Sequence, residues 1–143
     1  MTMSGNSTSP AAEGPEHPVC GRILLVDDHE GVRNATAMLL RTEGFEVLCA
    51  ASLGEAREAL RTGAPIDLVI ADYRLQAGET GIDVIAMARS VAGEHLGAVL
   101  VSGDTSSTPH DVQVTQRLRL AGKPVRAKEL LRIVTELLSV RKP

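Results

Sequence analysis

The chain has 143 residues, 43% of them hydrophobic and 23% charged, which fits one folded domain with its own core and excludes a disordered or fibrous chain. A formal net charge of -3 argues against a nucleic-acid module, and one Tyr, one Phe and no Trp exclude stacking platforms for bases or sugars. Two cysteines cannot make a disulfide framework or a four-thiolate zinc site, no apolar run approaches the ~20 residues that cross a bilayer, and the amino terminus lacks a secretory pattern, so a reducing cytoplasm is expected.

Residues 1–20 carry Pro10, Pro15 and Pro18, several Ser and Thr, and almost no large apolar side chain. Such a segment buries too little to offset its ordering entropy, so it reads as a disordered tail or linker ahead of a folded domain over 21–140. Arg22–Val26 is a continuous apolar run halted by Asp27 and Asp28, the pattern of a strand buried on both faces. Residues 30–43 put Val32, Ala35, Leu39 and Leu40 on one helical face before Gly44. Phe45–Ala50 reads as a second strand with Cys49 as a core thiol, and Ser52 as the cap of a helix reaching about Arg61. Asp67–Ala71 is a third strand ending on Asp72. A loop and a helix over about 81–91 follow, then Ala98–Val101 as a fourth strand ending on Ser102. A helix is expected within 104–117, delayed by Thr105-Ser-Ser-Thr-Pro109. Leu118–Ala121 is a weak fifth strand before Gly122-Lys123-Pro124. The last helix, about 126–140, repeats Leu130, Leu131, Val134, Leu137 and Leu138 at helical spacing. Part of that stripe leaves a homodimer contact open.

Five strands alternating with five helices imply an α/β fold, a doubly wound parallel sheet with helices on both faces. Such sheets bind ligands at the carboxyl ends of their strands. Asp27 and Asp28 follow strand one, Asp72 strand three, Ser102 strand four and Lys123 strand five. Alone, each has a plain reading: a capping pair, a strand end, a turn and a surface lysine. Together they crowd one edge with chemistry. Three carboxylates repel one another unless a cation joins them, and an all-oxygen set suits Mg2+ better than zinc. A hydroxyl and an ammonium beside them would hold phosphoryl oxygens, so the expected reaction is in-line phosphoryl transfer onto Asp72, the middle carboxylate. The four histidines, His17, His29, His95 and His110, lack metal-ligand spacing and read as solvated. His29 is the exception to watch, because it adjoins the acidic pair.

The pieces Ile-Leu-Leu-Val-Asp27-Asp28, Leu-Val-Ile-Ala-Asp72, Val-Leu-Val-Ser102-Gly103 and Lys123-Pro124, in that order, resemble the receiver domain of two-component response regulators over about Gly21 to Leu138. The resemblance implies a flavodoxin-like sheet of order 2-1-3-4-5. It implies Asp72 as the phosphorylated aspartate, Asp28 as a direct Mg2+ ligand and Asp27 as one acting mainly through water. Arg74 would supply its backbone carbonyl, Ser102 and Lys123 would follow the phosphoryl group, and the Lys123–Pro124 bond would be cis. Leu120 stands where the family has its switch aromatic, so ring rotation cannot carry the signal. Gln76 replaces a frequent Pro in a loop that looks one residue longer. That loop, with Leu120-Ala-Gly-Lys-Pro-Val, is similar to receivers attached to hybrid histidine kinases. The implied partners are a histidine kinase or a histidine phosphotransfer protein. With no DNA-reading segment after Val140, output is expected by protein contact or onward relay, and catalysis is the domain's own rather than an enzyme's.

Three other readings are weighed against this one. A pseudo-receiver, an interaction domain that is not phosphorylated, is opposed by the intact site set. A phosphohydrolase would need Asp-x-Asp after strand one, where this chain has Asp27-Asp28-His29. A flavin or dinucleotide protein would need a Gly-rich phosphate loop that the first strand lacks.

Overall fold

Each apolar burst in the sequence becomes a strand and each amphipathic stretch a helix laid against it. The computed structural model describes residues 21–63, 65–103 and 117–140. In order these form β1 (Arg22–Val26), α1 (Glu30–Thr42), β2 (Glu46–Ala50), α2 (Leu53–Arg61) and β3 (Leu68–Asp72). After a 3-10 turn (Gln76–Gly78) come α3 (Gly81–Ala92), β4 (Gly97–Ser102), β5 (Leu118–Gly122) and α4 (Ala127–Val140). The tail expected over 1–20 and all but Arg117 of the helix expected within 104–117 lie outside the described residues.

The strands form one parallel sheet of order β2-β1-β3-β4-β5, as the flavodoxin-like reading requires. Side chains alternate across a strand, so neighbouring residues enter different cores. Ile23, Leu25, Leu68, Ile70, Val99 and Val101 face α1 and α4 and meet Leu40, Leu130, Val134 and Leu137. Leu24, Val26, Val69, Ala71, Ala98 and Leu100 face α2 and α3 and meet Ala56, Leu60, Val84 and Ile85. Burial on both faces explains why β1, β3 and β4 read as unbroken apolar runs rather than alternating ones.

Caps set where helices begin. The Ser52 hydroxyl accepts the Glu55 N–H at 3.1 Å, as expected for α2. Thr80 and Asp83 form a reciprocal capping box at the start of α3.

Two expectations fail. The inward face of α1 is Ala37 and Leu40, while Val32 is 47% exposed, Ala35 is exposed and Leu39 is only partly buried. Cys49 is exposed rather than a core thiol. It lies on β2, an outer strand of the sheet, which has a neighbour on one side only. In α4, Leu130, Ile133, Val134, Leu137 and Leu138 are buried and Leu131 is half-buried, close to the expected stripe.

Candidate functional site

Parallel register brings the strand ends together. Val26 pairs with Ala71, so Asp27, just past β1, emerges beside Asp72 at the end of β3. Ser102 pairs with Gly122, and the Lys123 N–H donates to the Ser102 carbonyl at 2.8 Å. All five polar residues expected at this edge are therefore there. Asp27, Asp72 and Ser102 are buried, 4–7% exposed, an unusual burial for polar side chains that marks them as more than strand-end decoration.

Lys123 Nζ donates to Asp72 Oδ2 at 2.9 Å and lies 4.0 Å from Asp27 Oδ2. The Lys123–Pro124 bond is cis, in line with the resemblance. Asp28 Oδ1 is buried and, among the described residues, accepts no hydrogen bond. The Asp27 side chain accepts the His29 N–H at 2.9 Å, and its carbonyl accepts Arg33 Nη1 at 2.8 Å, which ties the β1 end to α1. Donor atoms of Asp27, Asp28, His29 and Asp72 all lie within 4.8 Å of one another.

Burial pushes the Asp72 carboxyl above its usual range; the Lys123 hydrogen bond and charge oppose this, and the Asp27 and Asp28 charges add to it. A carboxyl raised in the fold contributes stability while protonated, and that contribution is lost as pH rises through its folded value. One ammonium does not balance three carboxylates. A divalent cation fits this set: the carboxylate donors are hard oxygens, they are close enough to share an ion, and one buried oxygen accepts no hydrogen bond among the described residues. Asp28→Asn should therefore stabilise the cation-free fold by roughly 1 kcal/mol and remove most of the stabilisation that Mg2+ gives the wild type. Urea unfolding with and without Mg2+ checks both; an undiminished Mg2+ effect would take Asp28 out of the cation site.

The loop after Asp72 is held at both ends. Tyr73 N–H donates to the Val101 carbonyl at 2.7 Å, and Gly81 N–H to the Tyr73 carbonyl at 2.9 Å. Arg74 bridges Thr80 across the loop, and Ala77 and Gly78 turn it with φ of 62° and 77°. Glycine takes that conformation freely, whereas alanine carries about 1 kcal/mol of strain there.

Glu79, which the sequence reading passed over, accepts the Leu53 N–H at 3.0 Å and so joins this loop to the first turn of α2. A glutamate in a polar loop carries no sequence signal for a contact 26 residues away. Leu120 is partly buried opposite Leu100 and packs on the core shared with α2 and α3. Between α1 and α4 lies a mainly apolar groove of about 650 Å³, lined by Val32, Ala35, Leu39, Val125 and Leu130 and reaching Asp72 and Lys123. That groove is why Val32 and Ala35 fall outside the core.

A sequence model of one family, described as response regulator receiver domain, matches residues 23–135. Among curated proteins the chain is similar to the transcriptional regulatory protein AruR of Pseudomonas aeruginosa, with 33% identity over 86 residues, 57% of this chain and 34% of that protein. The chain thus spans about a third or less of the length of the first curated relatives it matches. Among solved structures it is similar to a response regulator receiver protein from Sinorhizobium medicae, with 28% identity, a TM-score of 0.71, and 85% and 96% of the two chains covered. The receiver domain from the hybrid histidine kinase CckA shares 34% identity, with a TM-score of 0.69 over 82% and 99% of the two chains.

Proposed function

Because the chain belongs to the response regulator receiver domain family, we propose that it is the phosphoacceptor of a two-component relay, taking a phosphoryl group onto Asp72. The observation that carries this reading is the buried Asp72 carboxylate, paired with Lys123 at 2.9 Å and flanked by Asp27 and Asp28. The donor is a phosphohistidine of a histidine kinase or a histidine phosphotransfer protein. The likeness to a hybrid-kinase receiver supports that class of partner. Among the described residues no helix is long and apolar enough to cross a membrane.

In the transfer, an Asp72 carboxylate oxygen forms the new P–O bond as the P–N bond to the donor imidazole breaks, and the imidazole leaves with the electron pair. Asp72 supplies the nucleophile and becomes a mixed anhydride. Lys123 moves from the carboxylate oxygen it now holds to an oxygen of the incoming phosphoryl group, keeping its charge paired throughout. The Ser102 hydroxyl stands at the end of the adjacent strand to donate to another phosphoryl oxygen. Asp28 directly, Asp27 through water, Asp72 and the Arg74 carbonyl would hold Mg2+. When bound, the ion neutralises charge on the transferring group. The turnover is single, so the protein acts as a signalling module rather than an enzyme. Leu120 offers no ring to rotate, so the altered surface must form by shifts of loops and helices, read by protein contact or drained by onward relay.

The test is intact mass after incubation with acetyl phosphate. One phosphoryl adduct is expected with Mg2+ and at least about tenfold less after chelation. No adduct, together with no binding of beryllofluoride, would overturn the reading in favour of an interaction domain that is not phosphorylated.

A further inference from the structure

His29 is not used by the reaction described above, yet it sits at the mouth of the cation site. Its N–H is fixed to Asp27 Oδ1 at 2.9 Å, and its side chain makes no cap to α1, the helix it precedes. Nδ1 lies 3.4 Å from Asp28 Oδ1 and 3.8 Å from Asp27 Oδ1. Two donors on one small divalent ion, each about 2.1 Å from it and at right angles, are about 3 Å apart. The His29–Asp28 spacing is close to that, and the oxygen it faces is the buried one without a hydrogen bond.

We propose that the His29 imidazole is a further ligand of this cation site, making it one that takes nitrogen-accepting divalent ions, Mn2+ and Co2+ among them, in preference to Mg2+. The proposal rests on the cation-site reading of Asp27, Asp28 and Asp72. Oxygen-only sites leave Mg2+ in place because it is abundant and keeps its waters. An imidazole changes the balance, since nitrogen donors gain strength along the first-row divalent series while Mg2+ gains little from them. The imidazole is largely exposed, so it can swing onto an ion without disturbing the core, and the backbone bond to Asp27 limits how far it strays.

The experiment compares the full chain with its His29→Gln variant. Calorimetric titration with Co2+ and with Mg2+ gives affinities, and electron spin-echo spectra of the Mn2+-loaded proteins report whether a nitrogen is bound. Expected are a fall in Co2+ affinity on the order of tenfold in the variant, a change in Mg2+ affinity of no more than about twofold, and a nitrogen modulation seen only in the wild type. His17, His95 and His110 are present in both proteins, so the difference isolates His29. Equal Co2+ isotherms, or nitrogen modulation that survives the substitution, would overturn the proposal. Failure of the wild type to bind Mg2+ and Co2+ alike would instead bring down the cation-site reading beneath it.

Discussion

Replacing Asp72 by Asn is expected to abolish the phosphoryl adduct formed from acetyl phosphate while the fold stands. An amide in that place has no anionic oxygen to attack phosphorus, and its product would not be an acyl phosphate. Stability changes little, because two effects oppose one another. The substitution removes the partner of Lys123, held at 2.9 Å, and also removes a buried negative charge that Asp27 and Asp28 repel. A net change within about 1 kcal/mol is expected. Intact mass and urea unfolding on the same sample separate loss of chemistry from loss of fold. An adduct that persists would move the acceptor to another carboxylate, Asp27 and Asp28 being the nearest candidates among the described residues.

The second large effect comes from a residue without a reactive group. A Cβ at Gly81 would lie 2.5 Å from the Asp72 carbonyl oxygen and 2.6 Å from Leu100 Cδ1. The first of these is backbone of Asp72 itself, in the middle of the sheet, and has little room to move. Gly81→Ala should therefore cost about 3 kcal/mol and lower phosphorylation as well, since relief of the clash must displace the Asp72 main chain. Gly97→Ala is the milder control: the nearest atom to its Cβ would be the Leu68 terminal methyl, at 2.9 Å, which can turn aside. Urea midpoints for both variants decide the matter. A Gly81→Ala protein as stable as the Gly97→Ala one would mean that α3 draws away from β3 without effort.

Much of this was legible in the residues because it depends on local pattern. Apolar runs ended by Asp27, Asp72 and Ser102 mark strands whose tips meet in any parallel sheet, and the register then delivers Lys123 to Asp72. What local pattern misses is whatever depends on packing between elements. On α1, Val32, Ala35 and Leu39 share a helical face, yet the core selects Ala37 and Leu40, because α4 leaves a groove rather than a seam beside that face. Cys49 has the parity of the core residue Val47, and only its place on an outer strand exposes it. Gly81 is one glycine among 13, and nothing in the chain distinguishes it from a glycine that merely turns a loop. The Thr80-Gly-Ile-Asp83 box, by contrast, is a sequence signature of a helix start that could have placed α3 to the residue.

Among the described residues the sheet divides the buried side chains into two clusters, one on each face. Energetic independence follows, because side chains without shared partners contribute additively. Truncating Leu137 under α4 and Ile85 under α3 together should cost the sum of the two single truncations. For a receiver domain this separation has an evolutionary use: the α1–α4 side can drift while the α2–α3 side, which braces the loop after Asp72, keeps its own packing intact.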